Sequence, residues 1–186
     1  MCHTLLQDPK LHALLLRIDE DQAAQMRCAG CACGGRLHRA DYPRKPRGGP
    51  RDLGHAHGLR HSFCCAVCRK RRTPRSVRFL GQRVYLGAVV VLASVMRYGL
   101  TLKRVAQLTD WFGVPRQTLD RWRHWWLNDF VDSPFWQHAR ARFMPPVQLA
   151  TLPASLLARF AGVELLDHTL GTLRFLAPLT TRHEGG

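Results

Sequence analysis

The apolar positions of this chain fall into three textures. Near the N-terminus Leu5, Leu11, Leu14, Leu15 and Ile18 suit one face of a short amphipathic helix, and the acidic run Asp19, Glu20 and Asp21 follows. Between residues 28 and 76 the periodicity disappears and Cys, Gly, Pro, Arg and His dominate. Such a segment cannot bury enough surface to fold by itself. From residue 77 apolar character returns. The pattern predicts a helix over 77–98, weakened by Gly81 and Gly87, and two more over 102–112 and 115–127. The longest apolar run, 84–96, has 13 residues and reads as a buried helix. A bilayer span needs about 20. Pro134, Pro145, Pro146 and Pro153 then break the chain, leaving short helices expected over 156–161 and 163–176 and a frayed tail. The expected fold is mainly α. A leader (1–27) precedes a small ribbon-like module of short β-hairpins and loops (28–76), a helical domain (77–131) and a Pro-broken helical segment (132–186).

The cysteines supply what the middle segment lacks. Six of the seven fall into two clusters, Cys28-Ala-Gly-Cys31-Ala-Cys33 and Cys64-Cys65-Ala-Val-Cys68. Each cluster holds a Cys-x-x-Cys, Cys28/Cys31 and Cys65/Cys68. Two such pairs offer four thiolates to one tetrahedral zinc ion, with no open position for substrate. One structural zinc is therefore expected, and with it a reducing, cytoplasmic setting. The ligand set stays open. Gly34-Gly35 favours a tight turn after Cys33, so Cys33 competes with its neighbours. Cys64 competes with Cys65, and His38 and His61 lie close in sequence.

Charge changes the picture further. The chain carries 28 Lys+Arg against 13 Asp+Glu, a formal net charge of +15. Residues 36–83 hold 14 of the basic and 2 of the acidic side chains, so this quarter supplies +12. A block of this kind needs solvent or an anionic partner, nucleic acid first and an anionic membrane surface second. It includes the Pro-punctuated loop with Arg44, Lys45 and Arg47. It also includes the strip Arg69, Lys70, Arg71, Arg72 and Arg75, directly after Cys68. A metal-pinned turn beneath that strip lowers the ordering cost of phosphate contacts. The plainer alternative is a solvated charge run.

The strongest folded motif lies at 105–122. Leu108 and Phe112 share a helix face, Thr109 allows close approach, and Gly113 can turn the chain. Val114 plugs the turn and Pro115 suits the start of a helix. Leu119 and Trp122 form that helix's inner face, leaving Arg116, Gln117, Thr118 and Arg121 outside. This predicts a helix-turn-helix whose second helix reads base edges in the major groove of double-stranded DNA. An ordinary helical hairpin is the bland reading. Trp111, Trp122, Trp125, Trp126 and Trp136 are expected to serve mainly in packing.

Taken together, Cys28-x-x-Cys31, then Arg60-His-Ser-Phe-Cys64-Cys65-Ala-Val-Cys68-Arg-Lys-Arg-Arg-Thr-Pro74, then a helix-turn-helix, resembles the N-terminal DNA-binding region of bacterial insertion-sequence transposases. The resemblance covers about residues 28–127 and implies DNA binding with a mobile-element flavour. Those transposases continue into a catalytic domain with three metal-binding carboxylates. Here 59 residues follow Leu127, with Asp129, Asp132, Glu164, Asp167 and Glu184 and no alternation of strand and helix to converge them.

No nucleophile elbow, phosphate loop or dinucleotide fingerprint is present. The expectation is a non-enzymatic, transposase-related or regulator-like DNA-binding protein of the bacterial nucleoid, with no membrane partner. Leu156, Leu157, Phe160, Leu165, Leu166, Leu173 and Phe175 should cover the helical bundle or form a homodimer contact. The alternatives are an RNA-binding zinc-ribbon protein, with Tyr42 and Phe63 as its stacking platforms, and a zinc-dependent protein-interaction adaptor.

Overall fold

The computed structural model describes residues 2–50, 52–80, 85–97, 106, 109–111 and 113–181. It is mainly α, and the chain forms two compact units. One comprises Asp8–Gly87 with Arg174–Gly186, the other Met1–Gln7 with Ala88–Leu173.

In the first unit the leader helix is longer than its apolar spacing suggests. After the short helix α1 (Cys2–Gln7), α2 runs over Pro9–Ala29, straight through the acidic run. Asp8 caps its start by accepting from the Lys10 amide at 2.9 Å, and Pro9 sits where no amide partner is needed. It ends at Gly30, whose φ of 73° is open to glycine. Leu11, Leu15 and Ala23 are buried along one side.

The ribbon is small. β1 (Leu37–Arg39), β4 (Phe63–Cys65) and β5 (Arg71–Arg72) form an antiparallel sheet in the order β1-β4-β5, with Leu37 opposite Cys65 and Cys64 opposite Arg71. β2 (Tyr42–Pro43) pairs with β3 (Leu59–Arg60), which follows a 3-10 turn at His55–Gly58. The apolar core is Ala23, Cys31, Leu37, Phe63 and Cys65, with Met26 and Cys68 against it. Helix α2 thus lends the ribbon, through Ala23 and Met26, the hydrophobic wall its own composition lacks.

A buried ionic knot secures that arrangement. Asp19 is fully buried and accepts from Ser76 Oγ at 2.5 Å, the Val77 amide at 2.7 Å and Arg78 Nε at 2.8 Å. Arg78, itself buried, also donates through Nη1 to the carbonyls of Ala56 and His57 and through Nη2 to that of Leu59. The knot explains why 77–80 is not helical, against the expected helix over 77–98. Phe79 instead bridges to Leu86, and the helix α3 begins only at Gly87 (Gly87–Arg97).

In the second unit Ala88, Val89, Val90, Val91, Leu92 and Ala93 of α3 are inaccessible to solvent, as the unbroken apolar run requires. α4 (Arg116–Leu127) follows Gly113, whose φ is 59°, and Pro115. Leu119, Trp122 and Trp126 form its buried side, and Val114 is fully buried in the turn before it. The expected partner helix over 102–112 lies mostly outside the described residues, Leu108 and Phe112 included; Ala106 and 109–111 are helical. Then come α5 (Asp129–Asp132), α6 (Pro134–Ala139, capped by Ser133), α7 (Ala154–Leu157) and α8 (Leu165–Leu176). Trp125, Trp126, Phe130 and Trp136 form a continuous aromatic cluster, with centroid separations of 4.7–5.4 Å between neighbours. Leu156, Leu157 and Leu173 are buried.

Candidate metal centre and its basic surface

Four thiols converge where the two cysteine clusters meet. The sulfurs of Cys31, Cys33, Cys65 and Cys68 all lie within 4.8 Å of one another. The Cys31–Cys68 and Cys33–Cys65 pairs are separated by 3.6 and 3.5 Å. A tetrahedral thiolate site with metal–sulfur bonds of about 2.3 Å has sulfur–sulfur edges of about 3.8 Å. The cluster therefore has the size and donor set to hold one metal ion. All four sulfur positions are filled by protein, which is the closed arrangement of a structural centre.

Two tight turns build it. In the first, the Gly34 amide donates to Cys31 O at 2.8 Å and the Cys31 amide to Gly35 O at 3.2 Å. Gly34 has φ 78°, and Gly35 must lack a side chain because a Cβ there would stand 2.6 Å from Cys65 Sγ. In the second, the Arg69 amide donates to Cys65 O at 3.2 Å and the Val67 amide to Cys65 Sγ at 3.4 Å. Arg69 closes this turn in the left-handed region, at φ 58°. Amides aimed at sulfur favour thiolate. The Cys33 amide and thiol lower the Cys31 thiol to about 6. The Cys68 and Val67 amides outweigh burial and lower Cys65. Cys68 accepts from the Lys70 amide, but burial and the neighbouring thiols push it up to about 11. A divalent cation would relieve that crowding of negative charge.

Of the five cysteines expected as ligands, Cys28 is the one left out. It sits exposed near the end of α2, and Cys31/Cys33 replaces the Cys-x-x-Cys spacing in the first turn. Cys64 lies outside the group, its thiol directed at Arg69 O (3.5 Å). His38 and His61 are also outside it.

The basic residues divide by what holds them. Lys45, Arg47, Arg69, Lys70 and Arg75 are exposed around the ribbon. Arg71 is partly committed to the fold: its Nη1 donates to Ala40 O and Ser62 Oγ, both at 2.9 Å, and its guanidinium lies over Tyr42. Arg44 lies over the Phe79 ring, and Arg72 is half-buried. On α4, Arg116, Gln117 and Arg121 face solvent, and Arg116 approaches Asp120 at 3.8 Å. Thr118 departs from expectation. It is buried, and its Oγ1 accepts from Arg121 Nη2 at 2.9 Å, so it positions that arginine instead of meeting a base.

A second polar group had no signature in the sequence. The Asp41 carboxylate accepts from Arg39 Nε at 2.6 Å, the Ser62 amide at 2.9 Å and His61 Nδ1 at 3.2 Å. Burial works against its charge, but these donors outweigh burial and keep Asp41 below the usual carboxylate range. Asp41 and His61 are 20 residues apart and meet only through strand pairing.

Among the described residues no helix is long and apolar enough to cross a membrane. No protein-family model, curated protein or solved structure matches this chain.

Proposed function

We propose that this is a non-enzymatic DNA-binding protein, transposase-related or regulator-like, in which a zinc-stapled ribbon grips phosphates and α4 reads the major groove. The observation that carries the reading is the placement of exposed cations at the second thiol turn: Arg69 and Lys70 leave it directly, and Arg75, Lys45 and Arg47 are exposed elsewhere in the same unit. Zinc is the metal of choice for a closed four-thiolate site, being redox-inert and indifferent to geometry beyond the tetrahedron. On α4 the polar face of Arg116, Gln117 and Arg121 suits phosphates and guanine or adenine edges. The RNA alternative loses support, because Phe63 is buried in the ribbon core and Tyr42 carries the Arg71 guanidinium.

The test is the salt dependence of duplex binding, followed by fluorescence anisotropy with the zinc-loaded chain. About five phosphate contacts should give a log–log slope near −4.5. A flat slope, or no duplex binding at low salt, refutes the proposal.

A further inference from the structure

Residues 133–163, in the second unit, carry Arg140, Arg142 and Arg159 and no Asp or Glu. Within this acid-free stretch the chain projects an apolar tip. Met144 is 83% exposed, Pro145 and Pro146 after it are exposed, and so are Arg140 and Arg142 just before it. A single exposed apolar side chain needs no explanation by itself. The surroundings of this one set it apart.

The tip is held at its base from both sides. Before it, a 3-10 turn over Arg140–Arg142 ends with the Phe143 amide donating to Arg140 O at 3.2 Å. The half-buried Phe143 ring packs against Trp136 and Phe160, with centroid separations of 6.1 Å to each. After it, Val147 is buried and Arg159 Nη2 donates to Pro146 O at 2.8 Å. The two prolines fix their own φ angles. Met144 therefore stands in water on an ordered loop, and placing it in a partner costs little conformational freedom. Val163 is the contrast. It is 98% exposed, but it adjoins Glu164, and the Asp167 carboxylate accepts from the amides of both.

An apolar point beside cations, with no carboxylate in its segment, fits a polyanion that can open an apolar gap. Stacked duplex DNA is such a partner: proteins of the minor groove press Met, Pro, Phe or Leu between base steps while Arg reads the groove. A bilayer surface is a poorer fit, because it is bound by the wide apolar face of an amphipathic helix, and here one side chain is offered. The loop also belongs with α4. Ala150 and Leu152, a few residues on, line one small cavity with Leu119, Trp126 and Leu127 of that helix.

We infer that Met144 is a wedge that enters the minor groove of the bound duplex, unstacks one base step and kinks the DNA, with Arg140 and Arg142 against the acceptor edges of the groove. The inference rests on the DNA-binding reading above and adds to it a second contact and a deformation of the duplex.

The experiment measures energy transfer between dyes at the two ends of a short duplex saturated with the zinc-loaded chain, saturation being set by anisotropy. Binding should bring the ends together as a kink of about 20–90° requires. Met144→Ala, and Arg140→Ala combined with Arg142→Ala, should each lose most of that change. Met144→Leu, still an apolar wedge, and Val163→Ala should keep it. All these positions are exposed, and unchanged tryptophan fluorescence, which reports the same unit, shows that the fold is kept. A duplex that is bound but not bent overturns the inference and leaves the DNA reading standing, as does a kink that Met144→Ala or the double variant retains. Flotation with anionic phospholipid vesicles that depends on Met144, without a kink, assigns the loop to a membrane surface and also overturns it. Absence of duplex binding at low salt overturns both.

Discussion

The Asp19 knot makes the sharpest stability prediction. Asp19→Asn preserves volume and one acceptor oxygen but removes the charge opposite Arg78, at 2.8 Å and with both side chains buried. The guanidinium keeps its three carbonyl partners, so the loss falls toward the lower end of what a broken buried pair costs, about 3 kcal/mol. With a urea dependence of about 2 kcal/mol per molar, the unfolding midpoint should fall by about 1.5 M. The probe matters. All five tryptophans lie in the other unit, so intrinsic tryptophan fluorescence is the wrong signal. Release of zinc to a chromogenic chelator during a urea titration reports this unit directly, because the thiols sit in it. Asp21→Asn, exposed on the same helix, is the control and should shift the midpoint by less than about 0.3 M. If Asp19→Asn behaves like Asp21→Asn, the knot does not hold α2 to the segment after the ribbon.

The metal centre yields two more expectations. Cys33→Ser should abolish stoichiometric zinc while Cys28→Ser retains one ion per chain by elemental analysis; the reverse outcome would restore the Cys28/Cys31 spacing as the ligand pair. Zinc binds thiolates, so protons still on sulfur must leave on loading. With Cys31 at about 6 and Cys68 at about 11, loading near neutral pH should release at least one proton, that of Cys68, and affinity should weaken as pH falls. Calorimetry in buffers of differing ionisation enthalpy measures that release, and a value near zero rules out four-thiolate binding.

The parts of this fold legible in the sequence are those set by local pattern. The inner face of α4 follows from the spacing of Leu119 and Trp122, and its entry from Gly113 and Pro115. The gathering of thiols follows from two clusters in a segment with no core of its own. The misreadings come from contacts distant in sequence. Asp19 belongs to a run that looks like a solvated helix end, yet its partners are 57–59 residues away. Once Asp19 is anchored, α2 continues past Cys28 and leaves that thiol in solvent near the helix end, so the next free turn must recruit Cys33. Thr118 fails for a related reason. Three consecutive polar or charged side chains, Arg116, Gln117 and Thr118, cannot all face outward on a helix, and the smallest, beside Leu119, turns inward to hold Arg121.

These contacts also determine how the basic block can act. By composition, residues 36–83 offer 14 cations, and if all met phosphate the salt slope would approach about −13. The fold withdraws many of them. Arg60 and Arg78 are each 2% exposed, Arg78 held by Asp19 and Arg60 donating to the Pro74 carbonyl. Arg39 is tied to Asp41, Arg71 to Ala40 and Ser62, and Arg44 lies over Phe79. Among the described residues, what remains exposed for a phosphate backbone is Arg36, Lys45, Arg47, Arg69, Lys70 and Arg75, enough for about five phosphate contacts. A measured slope near −4.5 therefore tests the packing as well as the partner. A slope near −13 would mean that the internal arginines are available to DNA, and that the network assigned to them here does not hold in solution.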